Sequence, residues 1–64
     1  MVNLNSSSIR AVDYDPTSRR LYIWFPDNGP YTFYHVPPPI FHGLISAGSA
    51  GRYYNQYIRG KYAA

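Results

Sequence analysis

Arg19-Arg20-Leu21-Tyr22-Ile23-Trp24-Phe25, then Pro26-Asp27-Asn28-Gly29-Pro30, then Tyr31-Thr32-Phe33-Tyr34-His35, is the stretch that decides the fold class of this 64-residue chain. In its first part Leu21, Ile23 and Phe25 alternate with Tyr22 and Trp24, the period of two that sends successive side chains to opposite faces of a strand. Asn28-Gly29 supplies residues that adopt the positive φ of a tight hairpin, so the third part returns antiparallel to the first. The alternation leaves open whether Tyr22 and Trp24 form the covered face or stand exposed, where a Trp can stack on a base.

Working upstream, Ile9-Arg10-Ala11-Val12-Asp13-Tyr14 is β-branched and aromatic with imperfect alternation, as a first strand with a bulge would show. It stops at Asp15-Pro16-Thr17-Ser18, where an Asp side chain can cap a turn and Pro fixes its second position. The expectation is a three-stranded antiparallel meander. Residues 1–7 are polar and serine-rich and read as a flexible lead-in, leaving a single domain over 8–62.

Working downstream, Val36-Pro37-Pro38-Pro39 ends the sheet, because Pro cannot donate to a ladder, and Pro39 is tolerated at a helix start. Ile40, Phe41, Leu44 and Ile45 fall on one side of a helix of about two turns, onto which Val36 can staple. Gly48 suits a left-handed cap, and Ser49 suits the N-cap of a second helix over 50–59 that Gly60 ends. On that helix Ala50, Tyr53, Tyr54, Tyr57 and Ile58 form a wide apolar face, with Arg52, Gln56 and Arg59 opposite. The predicted fold is therefore α+β: three antiparallel strands followed by two short C-terminal helices packed on one face.

A chain this short sits near the lower size for independent folding, and without cysteine no disulfide can staple it. Aromatic residues, 19% of the chain, must supply the core, each burying a large area for few rotatable bonds; dimerisation is the other usual remedy. Lys and Arg number 6 against 3 aspartates and no glutamate, and the sequence pI is about 9.5. The last acid is Asp27, so Arg52, Arg59 and Lys61 lie in an acid-free half, which favours a polyanionic partner. No apolar run approaches the roughly 20 residues that span a bilayer, and the first residues lack the basic and apolar parts of a signal peptide. A cytoplasmic protein with no membrane role is expected.

Catalysis is not expected. Asp13 and Asp15 lead into a turn and suit capping. His35 and His42 flank the prolines at a spacing that matches no common zinc pattern, and two ligands leave a zinc site incomplete. Ser6, Ser7 and Ser8 have no neighbouring base. No metal or other cofactor is called for. What remains is binding: Arg52 and Arg59 lie two helical turns apart and project from one face, with Lys61 and Tyr62 just beyond. Arg pairs bidentately with phosphate and Tyr offers a stacking plane.

Several residues together resemble a known family: Ser8-Ile9, Val12, Tyr14-Asp15, Leu21, Ile23, Phe25, Tyr31, Phe33, Val36-Pro37 and Leu44. The ending Ser49-x-Gly51-x-Tyr53-x-Asn55-x-x-Ile58-x-Gly60-Lys61-Tyr62 is the most specific part. Across Ser7 to Tyr62 the chain resembles the KTSC domain, found at the C-terminus of some lysyl-tRNA synthetases and as small stand-alone bacterial and phage proteins. The family's central Tyr-x-Tyr stands here as Tyr31-Thr32-Phe33, which loses one hydroxyl but keeps its packing. The resemblance implies an α+β domain, and its company with a tRNA synthetase suggests RNA. The expected function is a non-catalytic binding module for RNA or tRNA, with Arg52, Arg59 and Lys61 on phosphate and Tyr62 or Trp24 stacking on a base. The alternative is a protein-interaction or homodimerisation module that uses an aromatic sheet face.

Overall fold

A computed structural model describes residues 1–63. Its order is β1 (Val2–Asn3), β2 (Ala11–Asp15), β3 (Arg20–Trp24), β4 (Tyr31–Phe33), α1 (Pro38–Ser46) and α2 (Ala50–Tyr57), and the sheet is antiparallel in the order β1-β2-β3-β4. The class is α+β, as expected, but the sheet has four strands where the sequence predicts three. The extra strand lies inside the stretch read as a lead-in: Val2 pairs with Val12 and Asn3 with Ala11, and the Leu4 N–H donates to the Arg10 carbonyl at 2.9 Å. Two residues carry no usable alternation, so this strand is created by the edge of β2 and not by its own pattern.

The register assigns the faces. Val12 lies opposite Ile23, Tyr14 opposite Leu21, and Leu21 opposite Phe33. This face is covered: Ile9, Val12, Leu21, Ile23, Phe33 and Val36 are buried together with Leu44, Ala50 and Ile58 of the helical segments. The β2 ladder is regular from Ala11 to Asp15, and the expected bulge lies at its start, where Arg10 and Ala11 both oppose Trp24, the Arg10 N–H reaching the Trp24 carbonyl at 2.8 Å, so that Ile9 enters the core beside Val12. Ala11, Asp13, Tyr22, Trp24 and Thr32 point to the other face.

Two turns are locked to each other. Asp15 accepts from the Thr17 N–H at 3.0 Å, and the Ser18 side chain, then the Thr17 N–H, hold its carboxyl below the usual carboxylate range. The turn closes on Arg19, whose φ of 59° is left-handed, and the Arg19 carbonyl accepts from the Val36 N–H at 3.0 Å. Val36 also receives the Tyr14 hydroxyl on its carbonyl at 2.6 Å, while the Tyr14 ring stacks on Phe41 with centroids 4.9 Å apart. The proline segment is thereby tied to both β2 and α1. α1 begins with prolines at its first helical positions, which lack a donor the helix would leave unpaired anyway.

α1 does not end on a left-handed Gly48, as the sequence suggests; Ala47, in an extended conformation, terminates it. Ser49 does cap α2, its hydroxyl accepting from the Arg52 N–H at 3.3 Å. α2 stops at Tyr57, short of Arg59: the Tyr54 carbonyl takes both the Ile58 and Arg59 N–H groups, and Gly60, at φ 74°, closes a turn from Ile58 to Lys61. The Tyr53 ring lies on Gly43, where no side chain stands between α1 and α2. Tyr54 meets Phe25 and Phe33 edge-on at 5.4 and 6.0 Å. Both helices therefore sit on the same sheet face.

Three outcomes follow from these contacts. Tyr14→Phe keeps the stack but removes the bond to Val36, and should cost about 1 kcal/mol in chemical denaturation. Gly29 has φ 133°, and a Cβ there would stand 2.9 Å from the Trp24 Cα, so Gly29→Ala should cost roughly 1–3 kcal/mol. Gly48 has open space around it, so Gly48→Ala should be neutral or gain up to about 1 kcal/mol, and equal losses at both glycines would refute the contrast. Burial, then the neighbouring phenols of Tyr57 and Tyr62, push the Tyr53 hydroxyl above its ordinary value. The unfolded chain then ionises Tyr53 first, so stability present below the unfolded pKa of about 10 is lost as pH rises past it. Denaturation midpoints across that range should fall less steeply for Tyr53→Phe.

Candidate nucleic-acid interface

The outer surface of α2 carries a polar stripe. Arg52, Asn55, Gln56 and Arg59 follow at helical spacings of three and four and are all exposed. The Arg59 guanidinium reaches back to the Asn55 side-chain oxygen at 3.5 Å, which extends the stripe past the last helical turn. Lys61, exposed, is set beyond it by the Gly60 turn through its N–H bond to the Ile58 carbonyl at 2.9 Å. Among the described residues no carboxylate lies within salt-bridge distance of these three cations; the recorded pair joins the Met1 ammonium to Asp13 at 3.5 Å.

The tyrosines divide differently from the sequence reading. Tyr53 and Tyr54 pack against the core, and so does Tyr62, half-buried at the base of the C-terminal segment. Tyr57, expected on the apolar face, is 46% exposed. With Arg52 and Gln56 it borders a shallow cleft of about 380 Å³ running under Tyr53 to Ala47–Ser49. The exposed tyrosine beside Arg52 is thus Tyr57, its ring packed on one side against Tyr53 with centroids 4.6 Å apart. α2 is too short to present a five-residue apolar face to so small a sheet, and the residue left over turns outward.

Trp24 is not part of this surface. It pairs with Ala11 on the sheet face that the helices leave open, so it stands on the opposite side of the molecule from α2. It is half-buried there and lines a separate cleft of about 430 Å³ with Asn3, Arg10 and the Pro26–Gly29 turn. Tyr22 shares its face, as does Tyr34, 40% exposed, with the Arg20 guanidinium 5.7 Å from its ring centre. The structure therefore leaves Arg52, Arg59 and Lys61 exposed on α2 and the turns that follow it, sets Tyr62 inward, and separates Trp24. Sequence reasoning passed over Arg10, Arg20 and Tyr34. The shared parity of Arg20, Tyr22 and Trp24 in β3 was the available signal, whereas the approach of Arg10 depends on a bond from its N–H to the Trp24 carbonyl at 2.8 Å. Among the described residues there is no group of three or more side chains suited to hold a metal ion, and no helix is long and apolar enough to cross a membrane.

Comparison with known proteins gives a consistent result. The KTSC domain family matches residues 5–62. A protein of Tsukamurella paurometabola is 36% identical over 64 residues, covering all of this chain and 96% of its own. A lysine–tRNA ligase of Nostoc punctiforme is 32% identical over 56 residues, which are 88% of this chain but 10% of the ligase. The crystal structure of a KTSC domain protein from Yersinia pestis superposes with a TM-score of 0.92 at 36% identity, over 95% of this chain and 86% of that one. Matched over nearly its whole length in sequence and in backbone, the chain belongs to the KTSC domain family.

Proposed function

We propose that this KTSC domain is a non-catalytic module that binds RNA through the outer surface of α2. The observation that carries the reading is that Arg52, Arg59 and Lys61, on α2 and the turns after it, are all exposed and without a carboxylate within ion-pair distance among the described residues. Cations with no carboxylate partner among the described residues, one on α2 and two in the turns that follow it, are open to phosphates, and the ions displaced on contact favour association. Arg52 and Arg59 are suited to bidentate phosphate contact and Lys61 to a point charge. Tyr57 supplies the plane on which an unpaired base can stack, the place first assigned to Tyr62. The likeness to a segment of a lysine–tRNA ligase supports RNA over other polyanions. An intracellular site of action fits such a ligand.

A second reading draws on the other side of the molecule, where Tyr22, Trp24 and Tyr34 share a sheet face that no helix covers. It assigns that face to a protein partner or a second copy of the chain.

The two separate by salt. Titrating a labelled single-stranded RNA and a tRNA while following anisotropy should give an affinity that falls linearly on a log-log plot against salt. Each phosphate contact adds roughly 0.7 to the slope on a single strand. The Arg52→Ala, Arg59→Ala double variant should lose affinity and about two contacts' worth of slope while unfolding at an unchanged temperature. Absence of binding at micromolar protein in low salt, with salt-insensitive self-association by sedimentation, would replace the first reading by the second.

A further inference from the structure

We propose that the cleft on the open sheet face is a nucleotide-binding site, with a base stacked on Trp24 and its phosphate held by Arg10. This goes beyond the α2 reading and does not depend on it, because the cleft lies on the far side of the sheet.

Three separate segments build the cleft. Its floor is the cross-strand row Asn3, Ala11 and Trp24, one residue from each of three adjacent strands. One wall is the Pro26–Gly29 turn, held over the end of β3 by the Phe25 N–H bond to the Asn28 carbonyl at 2.8 Å and by the close approach of Gly29 to Trp24. The other wall is the entry to β2, where Arg10 donates its N–H to Trp24 and accepts from Leu4. The volume, about 430 Å³, falls within the range of small-molecule sites of roughly 300–1,000 Å³.

The lining is what a nucleotide requires. Trp24 gives a planar, half-buried surface beside Ala11, which is itself buried. Stacking on such a plane accepts any base. The Arg10 guanidinium is exposed, and among the described residues no carboxylate pairs with it, so it is available to a phosphate. Asn3 and Asn28 offer amide edges to a base. The one carboxylate of the lining, Asp27, accepts and does not donate, which suits an exocyclic amino group such as that of cytosine. An apolar ligand would leave Arg10 and Asp27 unanswered, and a bare anion would make no use of Trp24.

Trp24 is the chain's single tryptophan, so its emission reports directly on the site. Cytidine 5′-monophosphate should change that emission saturably, with cytidine and inorganic phosphate each at least about tenfold weaker. A tenfold loss corresponds to about 1.4 kcal/mol for the missing contact. Arg10→Ala should reduce the nucleotide to the level of cytidine, while the Arg52→Ala, Arg59→Ala double variant should leave its titration unchanged. A single-stranded tetranucleotide that binds more tightly than the monophosphate, and still depends on Arg10, identifies the ligand as a strand; equal or weaker binding identifies a free nucleotide. No emission change with either ligand up to several millimolar, or a change indifferent to Arg10→Ala, overturns the proposal. Salt-dependent RNA binding that survives Arg10→Ala but not the α2 variant would then leave the α2 reading standing alone.

Discussion

A chain of this length without a disulfide has apolar surface for one core layer, and that limit governs the rest of the molecule. β3 shows it most directly. Leu21 and Ile23 have no exposed surface, each flanked by a partner from β2 and one from β4, and both helices descend on that same face. No helix remains to cover the other side. Tyr22 and Trp24, sharing a strand with the most buried residues in the chain, are left partly in solvent. The half-exposed aromatics are a consequence of how little there was to bury, and binding chemistry is available there at no cost to the core.

The same economy explains how the helices are held. The connection from β4 to α1 runs into three successive prolines, the last two of them the first residues of α1, and therefore offers few donors at its end. It is anchored instead through Val36, whose side chain is buried, whose N–H meets the Arg19 carbonyl and whose carbonyl meets the Tyr14 hydroxyl. Tyr14 reaches both the connection and Phe41 of α1, so one side chain orients helix against sheet. Having α1 in place positions Gly43 against Tyr53, and α2 is then set with its cations outward.

Much of this was legible in the sequence, and the exceptions have physical causes. The alternation in β3 and the Ser49 cap are local signals, each satisfied by neighbours a few residues away, and each appears where the residues place it; of the Asn28-Gly29 pair only Gly29 takes a positive φ, and the connection runs from Phe25 to Pro30 in place of a two-residue hairpin. β1 was not legible because two exposed residues have no period; their pairing is supplied by β2. Gly48 was misread because a glycine after a helix permits a left-handed cap without requiring one, and Ala47 ended α1 first. The exchange of Tyr57 for Tyr62 at the surface reflects where the C-terminal segment folds back, which helical periodicity over 50–59 cannot encode once the helix stops at Tyr57. The cleft around Trp24 was invisible for the same kind of reason: Asn3, Arg10 and Asn28 are far apart in the chain and meet through strand register alone.

The way the C-terminal segment returns to the sheet bears on how the molecule meets others of its kind. The Ala63 carbonyl accepts the Tyr34 N–H at 2.9 Å, just past the end of β4. β4 itself is three residues long, and the opposite edge is the two-residue β1. Neither border offers a long row of unpaired backbone groups, and one of them is already partly occupied by the chain's own tail. Such edges are poor templates for an incoming strand, which guards a small aromatic protein against fibrous assembly. It also means that extended peptides gain little by adding themselves to this sheet, so recognition falls to side chains on its surfaces.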